Sequence, residues 1–114
     1  MATLRESYTA VVARNIDLAG AWATEPHECA WAGEAMFFVR VLATGGKNRK
    51  AARAHVQVSP DGMHWADEGR MLSVPPRAGV DFVRVSHFGG WLRLAGKAPA
   101  GSKLRVMIYL VLKA

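Results

Sequence analysis

The sequence predicts an all-β fold: an antiparallel β-sandwich, jelly-roll-like, with eight or nine strands. Short extended runs recur between turns rich in glycine and proline, at a spacing of about 8–12 residues that is typical of sandwiches. β-Branched and aromatic residues crowd the centres of these runs, and no stretch shows a convincing helical period. The chain has 114 residues, which suits one domain, so we expect a single sandwich over residues 1–114.

The clearest strand is the closing one, Lys103–Lys113. Its apolar residues at alternate positions share one face, because side chains along a strand point to opposite sides in turn; they are Leu104, Val106, Ile108, Leu110 and Leu112. The other predicted strands are Tyr8–Ala13, Ile16–Ala23, Met36–Thr44, Ala54–Ser59, Met63–Ala66, Arg70–Val74, Val80–Phe88 and Trp91–Leu94.

One turn has a clear physical basis, the run Ser59-Pro60-Asp61-Gly62. Pro60 sets φ for the second position of a type I turn, Asp61 suits the third, and Gly62 accepts the positive φ that follows. The turn therefore predicts a hairpin between Ala54–Ser59 and Met63–Ala66, with a bulge at Gly62.

Two predicted strands carry apolar side chains on both faces. The second face of the closing strand contains Met107, Tyr109 and Val111. In the predicted strand Met36–Thr44, one face is apolar and the opposite face carries Phe38 and Leu42. Leaving several such side chains in water is costly, at about 1.5–3 kcal/mol each. Either an N-terminal segment covers this surface or a second copy of the chain does. The second explanation predicts a homo-oligomer with these five residues at its interface.

A basic loop follows Gly45 and Gly46 and contains Lys47, Arg49, Lys50 and Arg53. The whole chain has 15 basic and nine acidic residues, a formal net charge of +6. These cations are candidates for contact with an anionic partner, either phosphates or an acidic neighbour in an assembly. No aromatic residues are interleaved with them, which disfavours binding of single-stranded nucleic acid. A solvated hairpin loop is the simplest interpretation.

The sequence offers little support for catalysis, so we expect no enzyme, no cofactor and no metal site. His27, Glu28 and Cys29 are adjacent, but a second pair of zinc ligands at suitable spacing is missing. A lone cysteine is more often a buried residue than a nucleophile. The phosphate-binding and hydrolase motifs are also missing.

Carbohydrate binding is an alternative, because sandwich modules stack sugar rings on exposed aromatic side chains and orient them with nearby polar groups. Trp22, Trp31 and Trp91 are the candidates. The chain has few asparagines and glutamines and no recognisable signal peptide. No apolar run reaches the roughly 18–20 residues that span a membrane.

The run Val56-Gln57-Val58-Ser59-Pro60-Asp61-Gly62-Met63-His64-Trp65, followed by Phe88–Leu94, Gly101 and a long closing strand, resembles a hairpin pattern of small β-sandwich proteins. It is similar to virion-type proteins of tailed bacteriophages, such as decoration or head-fibre proteins, and to related bacterial modules, over residues 54–113.

This resemblance implies a structural or attachment role without catalysis, often in a symmetric oligomer, beside capsid or other assembly proteins. With no recognisable signal peptide, we expect the protein in the virion or in the cytoplasm. The leading hypothesis is therefore a non-enzymatic structural protein of a phage or phage-like particle. A carbohydrate-binding module is the alternative, and a basic nucleic-acid-binding accessory protein is third.

Overall fold

The protein, described over residues 6–114 by a computed structural model, consists of nine strands in two antiparallel sheets. No helix occurs within that range. The all-β sandwich prediction is confirmed. The strands are β1 (Ser7–Leu18), β2 (Ala21–Ala23), β3 (His27–Glu28), β4 (Glu34–Gly46), β5 (Ala52–Ser59), β6 (Ala66–Val74), β7 (Gly79–Ser86), β8 (Trp91–Lys97) and β9 (Ser102–Lys113).

One sheet, sheet A, has the order β1-β9-β4-β7, so the first and last strands of the chain are neighbours. The other, sheet B, has the order β2-β8-β5-β6, and β3 pairs with β8 beyond β2. Within residues 6–114, only β5 and β6 form a hairpin of consecutive paired strands. The strands β2 and β3 follow each other in sheet B, and every other connection passes from one sheet to the other.

The core lies between the sheets and follows from the alternation in the sequence. All five predicted inward residues of β9 are buried, as are alternate residues of β4, β5 and β8. Large side chains with almost no exposed surface fill the middle of the sandwich: Phe37, Leu92, Leu94, Leu104, Ile108, Leu110 and Leu112. The inward face of β9 is therefore assigned correctly from period-two patterning alone.

The opening segment differs from the prediction. The run Ile16–Ala23 is not one strand, because β1 ends at Leu18 and β2 begins at Ala21 in the other sheet. Gly20 between them has a φ of 53°, a left-handed conformation that turns the chain across the end of the sandwich. The predicted Tyr8–Ala13 belongs to the same strand as Ile16, with register shifts near Val12 and Asn15.

The predicted strand Met63–Ala66 is also wrong. The residues from 60 to 65 form the hairpin loop, and β6 begins at Ala66 and runs unbroken through Arg70 to Val74. The Asp61 carboxylate explains the longer loop, because its Oδ1 accepts hydrogen bonds from the backbone N–H groups of Met63 and His64, both at 2.9 Å. Gly62 has the predicted positive φ, 81°.

Candidate interaction surfaces

The outer side of sheet A carries an apolar patch that crosses all four strands. Residues opposite each other in antiparallel pairs share a face, and the register places Val11, Tyr109, Phe38 and Phe82 in one cross-strand row. The adjoining rows add further apolar side chains. We define the apolar face as Val11, Met36, Phe38, Val80, Phe82, Met107, Tyr109 and Val111.

The side chains of the apolar face contact one another but remain open to solvent. The rings of Phe38 and Phe82 lie 5.8 Å apart between centroids, and the Arg84 guanidinium lies 5.1 Å from the Phe82 centroid. The Tyr109 hydroxyl donates to the Met107 sulfur at 3.6 Å. Phe82 is nevertheless 45% exposed and Val80 57%. Contacts within one sheet therefore leave much of this surface in water.

The chain's own opening strand lies beside this face and does not cover it. The strand β1 pairs edge to edge with β9 from Ser7↔Lys113 to Leu18↔Leu104. Met107, Tyr109 and Val111 are half-buried, shielded in part by their neighbours in the sheet. Residues 1–5 lie outside the described part of the chain. The segment from residue 6 to 18 therefore does not supply the internal cover considered above.

Leu42, the fifth predicted interface residue, lies at the margin of the apolar face. It is the extra residue of a β-bulge between Val41 and Ala43, where the register with β9 shifts. Half-buried, it lines a shallow pocket together with Ala78 and Val80. The bulge therefore keeps Leu42 next to Val80 instead of in the regular cross-strand rows.

The second surface is one end of the sandwich, where β4, β6 and β8 finish and β5, β7 and β9 begin. We define the basic end by its seven exposed cations: Lys47, Arg49, Lys50, Arg53, Arg77, Lys97 and Lys103. The four predicted cations of the loop and β5 all belong to it. Arg77, Lys97 and Lys103 join them only through the fold.

The basic loop is held in place by backbone and amide contacts. The Asn48 side-chain amide donates to the Ala100 carbonyl at 2.8 Å, and the Asn48 backbone N–H donates to the Gly101 carbonyl at 3.2 Å. Lys50 donates its backbone N–H to Asn48 Oδ1 at 3.0 Å. The Arg49 guanidinium donates to the Pro76 carbonyl at 3.1 Å, which brings it beside Arg77. These contacts tie the β4–β5 loop to two other loops.

The outer side of sheet B is polar. Arg93 donates through Nε to Gln57 Oε1 at 2.7 Å, and Gln57 donates through Nε2 to Asp67 at 2.9 Å. The Arg93 guanidinium also lies 4.3 Å from the Trp65 ring centroid. A shallow groove of about 570 Å³ runs along this face, floored in part by Ala23 and Ala95 and bordered by these polar groups.

The three tryptophans predicted for sugar stacking lie in different settings. Trp22 packs against the core beside Gly96, where an added Cβ would lie 3.0 Å from the Trp22 ring. Trp91 is half-buried over Gly62. Trp31 is 42% exposed in the loop between β3 and β4. The structure does not gather them on one face, and sugar binding stays a prediction.

Cys29 is fully buried, with its sulfur 3.5 Å from the Gly90 carbonyl oxygen. Burial, with the neighbouring Glu28 charge, raises the pKa of the thiol to about 12. The thiol is therefore protonated at neutral pH and unsuited to nucleophilic attack. Within residues 6–114, no three His, Cys, Asp or Glu side chains are grouped as metal ligands. The same range contains no helix able to cross a bilayer.

Sequence reasoning missed part of both surfaces. Val80, Phe82 and Arg84 alternate with Asp81, Val83 and Val85 in the predicted strand Val80–Phe88. That strand is therefore apolar on both faces too, a signal available in the sequence. Arg77, Lys97 and Lys103 gave no such signal, because they are scattered between turns.

Comparison with known proteins identifies a fold but not a family. No family model matches the sequence, and no curated protein matches it significantly. The crystal structure of the SPBc2 prophage-derived protein YomS is similar over 100% of this chain and 98% of its own, with a TM-score of 0.66 and 5% identity. The crystal structure of FLHE matches over 96% of both chains, with a TM-score of 0.46 and 11% identity. The chain thus shares its overall fold with YomS.

Proposed function

We propose that this protein is a non-enzymatic assembly protein that associates with copies of itself through the apolar face. The observation that carries the proposal is the row Val11–Tyr109–Phe38–Phe82, which crosses all four strands of sheet A without cover from the described chain. Exposed apolar patches of a few hundred Å² are often functional, which supports this face as the site of association.

The size of the apolar face suits the centre of an interface. Four strands about 4.8 Å apart and roughly five residues along each strand give a projected area of about 300 Å². A standard interface buries about 800 Å² on each partner. Association therefore also has to involve polar residues, which include Arg40, between Val80 and Met107, and the exposed Arg84 next to Met36. An apolar centre with a polar rim is the usual anatomy of such contacts.

The setting we infer is a phage or phage-like particle. The support is the fold shared with the prophage-derived YomS over the full length of both chains. The strand order also favours a jelly roll if β2 and β3 are counted as one interrupted strand, since the eight strands then form two four-stranded sheets with most connections crossing between them. Capsid or tail genes beside this gene would support the setting, and an unrelated metabolic operon would contradict it.

Light scattering coupled to size-exclusion chromatography tests the self-association. We expect wild type to elute as an oligomer and Phe82→Glu to elute as a monomer, because a carboxylate buried in the contact, on the outermost strand of the apolar face, cannot be desolvated cheaply. The matched control is Met71→Glu, a similarly exposed apolar residue on the outer side of sheet B. Circular dichroism checks that both variants are folded.

Three results would contradict the proposal: a monomeric wild type at high concentration, an oligomeric Phe82→Glu, or the same loss in both variants. Salt adds an independent check. Because the exposed cations Arg40 and Arg84 of this face repel their copies across a self-contact, added salt is expected to preserve or strengthen the oligomer. Dissociation by 0.5 M salt would show that the contact is not apolar.

A further inference from the structure

We infer that the basic end binds the phosphate backbone of nucleic acid without reading its sequence. This surface is separate from the apolar face and does not depend on self-association. It combines side chains from five segments: the β4–β5 loop, the start of β5, the β6–β7 loop, the end of β8 and the start of β9.

The charge of the protein is concentrated at this end. Of the 14 cations within residues 6–114, seven lie there, all exposed. The other seven cations of that range are outnumbered by its nine acidic residues, so the basic end accounts for the positive charge of the described part of the chain. Among acids in the adjacent strands, Asp17 is held by Arg105 through hydrogen bonds at 3.1 and 3.2 Å. Asp81 is the third residue of β7, which begins at the basic end.

The cations are kept together at an energetic cost. Arg53 and Lys97 stand directly opposite each other in the β5–β8 pair and share the outer face of sheet B. Like charges in such a pair destabilise a sheet. The Asn48 contacts likewise hold Lys47 and Lys50 near the β8–β9 loop instead of letting the loop move away. A bound polyanion relieves this repulsion.

The absence of apolar anchors favours phosphate over a protein partner. Protein interfaces depend on buried aromatic or aliphatic residues. The loops of the basic end, residues 47–51, 75–78 and 98–101, contain no large exposed apolar side chain. The two shorter dimensions of the molecule are 31 and 20 Å. A duplex carries one charge per about 1.7 Å of axis, so phosphates are dense enough to reach cations across this width.

Fluorescence anisotropy with labelled 20-base-pair DNA and single-stranded RNA, titrated at several salt concentrations, tests the inference. We expect the full-length wild type to bind both, with affinity falling steeply as salt rises. Lys47→Ala/Lys50→Ala is expected to reduce the slope of log K against log[salt] on the duplex by about 1.8, at about 0.9 for each lost phosphate contact. Arg49 is left unchanged because its guanidinium also holds Pro76.

The control is Arg70→Ala/Lys113→Ala, which removes two exposed cations away from the basic end. Equal weakening in the two double variants would overturn the inference, since net charge alone would then explain binding. Failure to bind either nucleic acid at low salt would also overturn it. So would poly-glutamate binding as tightly as the duplex, because the partner would then be an acidic protein.

The test separates this inference from the proposed function. The Phe82→Glu variant is expected to retain the salt slope of wild type on DNA, even though it no longer self-associates. Salt also acts in opposite directions on the two surfaces, since it weakens phosphate contacts and preserves apolar ones. Loss of the slope in Phe82→Glu would assign the binding to the oligomer and overturn the separate site.

Discussion

The outer faces of sheet A and sheet B differ in what their cross-strand rows contain. In sheet A, the central row joins Val11, Tyr109, Phe38 and Phe82. In sheet B, a cross-strand row on the outer face contains Arg93, Gln57 and Asp67, which are joined by two side-chain hydrogen bonds.

The difference shows what strand alternation does and does not decide. Alternation sends every second side chain outward in both sheets. A row of hydrogen-bonded polar groups is stable in water, whereas an apolar row gains free energy from any cover that removes it from water. We therefore propose sheet A as the surface of self-association and expect the outer side of sheet B to stay solvated.

The largest expected effect is a difference in unfolding free energy between alanine variants on the two faces of β9. Leu110 is fully buried between the sheets, so Leu110→Ala is expected to cost about 2–5 kcal/mol of unfolding free energy. Val111 on the apolar face is half-buried, and Val111→Ala is expected to cost about 1 kcal/mol or less in the monomer. Urea denaturation at dilute protein measures both. Equal costs would mean that the apolar face is already packed within one chain.

The next effect concerns how tightly the backbone packs in each sheet. A Cβ at Gly96 in β8 would lie 2.2 Å from the Arg53 carbonyl oxygen and 3.0 Å from the Trp22 ring. Gly96→Ala is therefore expected to destabilise the protein by about 1–3 kcal/mol.

The matched control is Gly45→Ala in β4 of sheet A, where the nearest atom to a new Cβ is Lys103 Cβ at 3.6 Å. We expect a change within about 0.5 kcal/mol there, measured by the same denaturation experiment. A Gly96→Ala variant as stable as Gly45→Ala would show that β5 and β8 separate readily to admit a methyl group.

The smallest effect is a pH dependence located in the hairpin loop of sheet B. Hydrogen bonds from the His64 and Met63 backbone N–H groups, with the His64 side chain 2.6 Å away, lower the pKa of Asp61 below its ordinary 3.8. Since the folded-state pKa is below the unfolded value, this stabilisation is present above pH 3.8 and is lost as the pH falls further.

Asp61→Asn tests that contribution because asparagine retains an acceptor oxygen for the loop N–H groups. We expect the variant to melt below wild type at pH 7 and the gap to narrow as the pH falls below 3.8. Thermal melts at a series of pH values measure it. A gap that stays constant from pH 7 to pH 2 would show that the Asp61 charge does not stabilise the loop.

Local patterning was enough to assign several features. The period-two pattern of Lys103–Lys113 placed Leu104 to Leu112 in the core and Met107, Tyr109 and Val111 outside. Gly62 took its positive φ because no other residue does so as cheaply. These assignments depend only on neighbouring residues.

The predicted strand boundaries were wrong where a single glycine or side chain changed the direction of the backbone. The run Ile16–Ala23 has a plausible strand composition, but Gly20 divides it between two sheets. The run Met63–Ala66 looks like the return strand of a tight hairpin, but the Asp61 carboxylate binds the next N–H groups and lengthens the loop.

The sequence by itself determined the fold class, the core face of β9 and the suspicion that two strands are too apolar for solvent. Only the tertiary structure decided that β1 lies beside β9, leaving the outer face of sheet A open, and that Lys97 and Lys103 join the basic loop. The reason is physical: alternation and turn geometry act between adjacent residues. Which strands become neighbours depends instead on burying the whole core at once, across sequence separations that no local pattern records.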